Sequence, residues 1–162
     1  MSTPVEQQYL LTTNQMASFA ARGFLRFDNL IPAVINRAVM AEIDAGTIDR
    51  PAGGTLLSAC YPPPSPLGEM LRIPQVQGII QSLVGLEPTF DHHAIHVRQP
   101  NEGQAQGLHG DSIIDTRMHF DIQLMYSPHD VPLEMGGTLI LPHQRIPGCP
   151  QSEPPRPNPH GL

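Results

Sequence analysis

Cysteine is scarce in this chain. Cys60 and Cys149 are the only two in 162 residues, and they make neither a disulfide framework nor a zinc-knuckle spacing. Neither sits beside a basic helix start or a persuasive histidine partner, so a cysteine nucleophile is unsupported. Lysine is absent altogether. The nine basic residues are all arginine, they are scattered, and the net charge is −6. A nucleic-acid surface needs a clustered basic face, so that class of partner is excluded. No apolar run approaches the roughly 18 residues of a membrane span, and the opening MSTPVEQQYL lacks a basic-then-apolar signal pattern. The expectation is a soluble, cytoplasmic protein with no membrane or nucleic-acid partner. Apolar residues still make up 40% of the chain, enough to build the core of one domain. Two counts stand out, eight histidines and nineteen prolines.

The first half reads as helices with clear punctuation. Thr12 and Gln15 are in capping-box register, Met16, Phe19 and Ala20 form an apolar stripe, and Gly23 supplies a stop. Phe24–Phe27 is a short strand candidate. Pro32 opens a second amphipathic helix through Val34, Ile35, Ala38, Val39 and Ile43, which ends near Gly46. Residues 51–68, with five prolines, read as loop. Pro74 opens a third helix, with Val76, Ile79, Ile80 and Leu83 on one side and Gly85 after it.

From Thr89 the apolar period changes to two. In Phe90–Arg98, His92, Ala94, His96 and Arg98 share one face, while His93, Ile95 and Val97 share the other. His119–Tyr126 alternates again, Ser127–Met135 is a long turn, and Gly137–Leu141 is an apolar strand candidate. Helices first and strands later predict an α+β fold, with helices packed on an antiparallel sheet. The last twenty residues, His143–Leu162, hold six prolines and little apolar surface, which predicts a disordered or extended tail.

Among the residues that carry chemistry, His109-Gly110-Asp111 is the segment to single out. In extended backbone, residues i and i+2 point to one side, so an imidazole and a carboxylate can meet one metal ion. A second, distant histidine would complete the two-His-one-carboxylate triad of non-haem Fe(II) oxygenases. The plainer reading is a loop-end hydrogen bond in which Asp111 caps a turn. His119-Phe120-Asp121 repeats the spacing, but it lies inside a strand pattern and reads as a polar sheet face. Asp91-His92-His93-Ala94-Ile95-His96 offers a zinc cluster, although a strand turns His93 away and leaves only His92 and His96 to converge. Met118, Met125 and Met135 read as gap-filling core residues.

The segment Gly107-Leu108-His109-Gly110-Asp111-Ser112, the strand pattern Phe120–Tyr126 and then Met135-Gly136-Gly137-Thr138-Leu139-Ile140-Leu141-Pro142 resemble the phytanoyl-CoA dioxygenase family. The opening is similar too, with a Gln-containing helix leading to Gly23-Phe24-Leu25 and Asn29-Leu30-Ile31-Pro32. The resemblance covers most of residues 10–142. It implies an Fe(II)- and 2-oxoglutarate-dependent oxygenase acting on a small-molecule substrate, with its helices on a partial double-stranded β-helix, a jelly-roll-like sheet. His109 and Asp111 match the family's first two iron ligands, which makes them the candidate catalytic and metal residues. His92, His96 and Arg98 fall in the region that lines the co-substrate pocket, with His96 and Arg98 the candidates for holding 2-oxoglutarate.

The family's third ligand is a later histidine, followed by an arginine that grips the 2-oxoglutarate carboxylate, and neither is matched. His143 and His160 are the only histidines downstream of the proline turn. The expected organisation is therefore a partial phytanoyl-CoA dioxygenase-like domain over 1–142 and a proline-rich tail over 143–162, produced by truncation or a change of reading frame after Pro142. Two alternatives stand beside an active dioxygenase. One is a catalytically dead fragment or binding protein with the same partial fold, and the other is a small sheet protein that binds a divalent metal through His92 and His96. A sheet lacking strands has unpaired edges, which predicts an edge-paired homodimer.

Overall fold

A computed structural model describes residues 4–97, 107, 109 and 121–142. Four α-helices are present among them: α1 (Thr13–Arg22), α2 (Ala33–Ala45), α3 (Pro66–Leu71) and α4 (Pro74–Val84). Single turns of 3-10 helix occupy Gln7–Tyr9, Leu57–Ala59 and Leu133–Met135.

Local chemistry fixes most of the helix ends. Thr12 caps α1 by accepting from the Gln15 backbone N–H, and the Gln15 side chain accepts in return from the Thr12 N–H at 2.9 Å. Gly23 (φ 81°) and Gly46 (φ 64°) end α1 and α2 in the left-handed conformation that glycine adopts at least cost. Ser65 caps α3 and Pro66 begins it, where a missing N–H leaves no bond unmade. Pro74 does the same for α4.

The core lies where α2, α3 and α4 meet. Met70, Val76 and Ile80 form its buried centre, with Leu30, Ile31, Ile35, Leu67, Leu71 and Tyr126 among the half-buried residues packed around it. The N-terminal segment straps α4 from outside. Val5 N–H donates to Gln81 Oε1 at 3.0 Å, Leu11 N–H donates to Ser82 Oγ at 2.9 Å, and the Tyr9 backbone sits directly against Gly78.

The expected α+β class, with helices on a jelly-roll-like sheet, is overturned: the described residues hold helices and no strand. Their one β-type pairing is an isolated antiparallel bridge between Leu56 and Thr89. Residues 24–27, 90–97, 121–127 and 137–141 lack strand structure despite their patterns. Alternation names two faces of a segment, but it does not supply the neighbouring backbone whose N–H and C=O groups make a ladder. Phe90 exchanges backbone bonds with Gly54 and Thr55, at 2.8 and 2.7 Å, and Tyr126 reaches α2 instead. The later segments consequently leave apolar side chains in water, including Val97, Leu124, Met125, Leu133 and Leu139.

The loop expected over 51–68 needs a smaller correction, because α3 begins inside it. Met118, Met125 and Met135 were expected in the core, yet Met125 and Met135 are exposed; Met118 lies outside the described residues. The expected tail over 143–162 also lies outside them. None of the described helices is long and apolar enough to cross a membrane.

Candidate functional site

Gly107 and His109 are both described, and the His109 side chain is exposed. Its Nδ1 lies 2.8 Å from the Gly107 carbonyl oxygen. A carbonyl only accepts, so Nδ1 carries the proton and donates it. In the neutral ring the lone pair then sits on Nε2, the arrangement in which a backbone carbonyl orients a metal-binding imidazole. Asp111, the expected partner ligand, lies outside the described residues, as do Arg98 and His119.

The other candidates are spread along the surface. His92 and His96 are both exposed, and His92 Nδ1 pairs with Asp91 Oδ2 at 2.7 Å. Asp121 is exposed as well. Among the described residues no group of three His, Cys, Asp or Glu side chains is placed to hold a metal ion. Ile95 lines a small cleft of about 130 Å³, together with Glu42, Ile43, Ile48 and Arg50.

The structure also builds a cluster that no motif marked. Tyr61 is 5% exposed and has φ 52°, a left-handed conformation rare for a bulky residue. Such backbone costs of order 1–3 kcal/mol and persists only where its surroundings enforce it. Here Arg72 Nη2 donates to the Tyr61 carbonyl at 2.7 Å, and Gly68 of α3 packs beneath that same carbonyl. The Tyr61 ring meets Phe90 edge-on at 6.2 Å and lies against the His93 ring at 5.8 Å. Its hydroxyl is hydrogen-bonded to His93 Nδ1, and His93 Nε2 is buried with no hydrogen-bond partner.

Burial pushes the Tyr61 phenol up to about 12, helped by negative charge from Cys60 and Asp49. Burial also holds the His93 imidazole below its ordinary value, with Arg50 and His92 acting in the same direction. Both groups are therefore held neutral at physiological pH. The period-two pattern grouped His93 with Ile95 and Val97, yet His93 is half-buried and those two are exposed. The contact of His93 with Tyr61 spans 32 residues of chain, for which sequence carries no local signal.

Comparison of the chain with protein-family models, with curated proteins and with solved structures finds no match.

Proposed function

We propose that the chain binds Fe(II) through His109 and Asp111 and works as an oxygenase of the phytanoyl-CoA dioxygenase type, hydroxylating a small molecule with 2-oxoglutarate as co-substrate. The observation that supports this reading is the state of His109. Its Nδ1 proton is committed to the Gly107 carbonyl, so Nε2 is the nitrogen that would meet a metal. One imidazole and one carboxylate two residues apart suit Fe(II) in kind, and Gly110 between them allows close backbone approach. Iron held there, with 2-oxoglutarate and dioxygen, supplies the oxidising power for an unactivated C–H bond. The chain's own task is to fix the orientation of the imidazole, which the Gly107 carbonyl does. His96, which is exposed, and Arg98 are the residues assigned to the co-substrate.

The test is calorimetric titration of the full chain with Mn(II) as a redox-inert substitute for Fe(II). His109→Ala and Asp111→Ala should each abolish the binding, and Asp121→Ala should leave it intact. Equal affinity in the Asp111 and Asp121 variants would reject the assignment.

A further inference from the structure

The strongest feature outside the proposed iron site is the Tyr61–His93 pair. It is the point where the extended segment 90–97 is fastened to the helical body. On one side, Tyr61 is anchored by Arg72 and by its contact with Gly68. On the other, the segment begins with backbone bonds to the 54–57 loop: Gly54 N–H to the Phe90 carbonyl at 2.8 Å, Phe90 N–H to the Thr55 carbonyl at 2.7 Å, and Leu57 N–H to the Pro88 carbonyl at 3.0 Å. Beyond Phe90, His93 is the one half-buried residue of the segment, while Ala94 through Val97 are exposed. Among the described residues beyond Phe90, the Tyr61–His93 bond is the side-chain hydrogen bond that ties the segment to the helical body. Ile95 adds an apolar contact at the cleft beside α2.

Protonation is incompatible with that geometry. With His93 neutral, the Tyr61 hydroxyl donates to Nδ1 and the ring proton sits on Nε2. A protonated ring carries a proton on both nitrogens. The Tyr61 bond would have to reverse, leaving the tyrosine proton without its acceptor. Nε2–H would carry a share of a full positive charge at a buried atom with no partner. The groups that act on the pair do not relieve this. Arg50 and His92 repel charge on His93, and Cys60 and Asp49 bear on Tyr61.

We propose that Tyr61 and His93 form an acid-released clasp: with His93 neutral it holds segment 90–97 on the helical body, and protonation of His93 lets the segment go. The sign follows from linkage. The unfastened ring titrates near the ordinary histidine value of about 6.5 and the fastened ring below it. Fastening is thus complete above about 6.5 and is lost as pH falls through the lower, fastened value. The clasp does not depend on iron at His109.

Amide exchange on the full chain tests it, read as protection factors so that intrinsic pH effects cancel. Between about pH 7.5 and pH 5.5, protection at Gly54, Leu57 and Phe90 should fall, by up to about tenfold, because pH 5.5 lies about one unit below the released histidine's ordinary value. Protection within α4 should hold. His93→Gln keeps a neutral hydrogen-bonding group and should remove the pH response, while His92→Gln should retain it. Tyr61→Phe keeps the ring and should lower protection at these amides already at neutral pH. A flat wild-type profile, an undiminished response in H93Q, or equal loss throughout α4 would overturn the clasp.

Discussion

Tyr126 donates its hydroxyl proton to Asn36 Oδ1 over 2.6 Å, joining residues 90 positions apart. Asn36 projects from the first turn of α2, and the Tyr126 ring packs against the core formed by Met70, Val76 and Ile80. This contact docks segment 121–127 on the helices without any sheet ladder. Burial raises the Tyr126 phenol, which keeps it a donor throughout the neutral range.

Replacing Tyr126 with Phe should therefore cost about 1 kcal/mol, the net worth of one hydrogen bond whose partner is left half-buried. Tyr126→Ala should cost more, about 2 kcal/mol, because a half-buried ring leaves the core as well. Urea denaturation of the two variants, read at constant m-value, checks both. Equal stability of wild type and Y126F would show that the docking rests on the ring alone.

Two glycines should resist substitution although both are helical, where alanine is ordinarily favoured by about 1 kcal/mol. A Cβ at Gly78 would run into the Tyr9 backbone carbonyl, and one at Gly68 into the Tyr61 carbonyl. Gly78→Ala should push the N-terminal strap off α4, and Gly68→Ala should disturb the backbone beneath the clasp. Each should lose about 1–3 kcal/mol, as overpacked interiors do. Gly46 is a useful contrast, since a Cβ there meets nothing within 4 Å and only its φ of 64° opposes alanine. Gly46→Ala should lose about 1 kcal/mol. Thermal melts that rank G46A below both other variants in stability would contradict the steric account.

The helices that sequence reveals are those with local punctuation. Thr12 and Gln15 mark the start of α1 and Gly23 its end, all within a few residues of the turns they fix. Pro32 with Gly46, and Pro74 with Gly85, bracket α2 and α4 in the same way. Helix α3 is hidden because Pro62, Pro63 and Pro64 make its surroundings read as loop, although Pro66 belongs to a first turn. The sheet reading fails for a different reason. Period-two alternation over 90–98 and 120–126 is a property of one segment, whereas a strand is a property of two. The same limit applies to the sites. His109 is marked by its neighbours in sequence, but the burial of His93 against Tyr61 is created only by the fold.

Tyr61 should be the last tyrosine to ionise. Its phenol is raised to about 12 from an ordinary value of 10.0, chiefly by burial. The unfolded chain gives up this proton first as pH rises. Stability from the buried phenol is thus fully present below about pH 10 and is lost as pH climbs through about 12. An absorbance titration of tyrosinate should show a late component, and Tyr61→Phe should remove it. If Y61F leaves the late component in place, the buried, hydrogen-bonded position of Tyr61 is wrong.

The tautomer of His109 gives the most direct test of the chemistry proposed for it. A water-exposed neutral histidine ordinarily prefers its proton on Nε2, so a proton on Nδ1 needs a specific acceptor. The Gly107 carbonyl at 2.8 Å is that acceptor. Nitrogen NMR at mildly alkaline pH should therefore show Nδ1 of His109 protonated and Nε2 unprotonated, while His96 serves as an exposed reference on the same chain. Adding a diamagnetic divalent ion such as Zn(II) should move the Nε2 resonance and leave the Nδ1 proton attached, because the metal takes the lone pair and not the hydrogen-bonded site. Asp111→Ala should preserve the tautomer, which depends on Gly107, yet weaken the metal-induced shift. A proton found on Nε2, or a metal that displaces the Nδ1 proton, would remove His109 as a preoriented ligand and with it the support for an iron site at this loop.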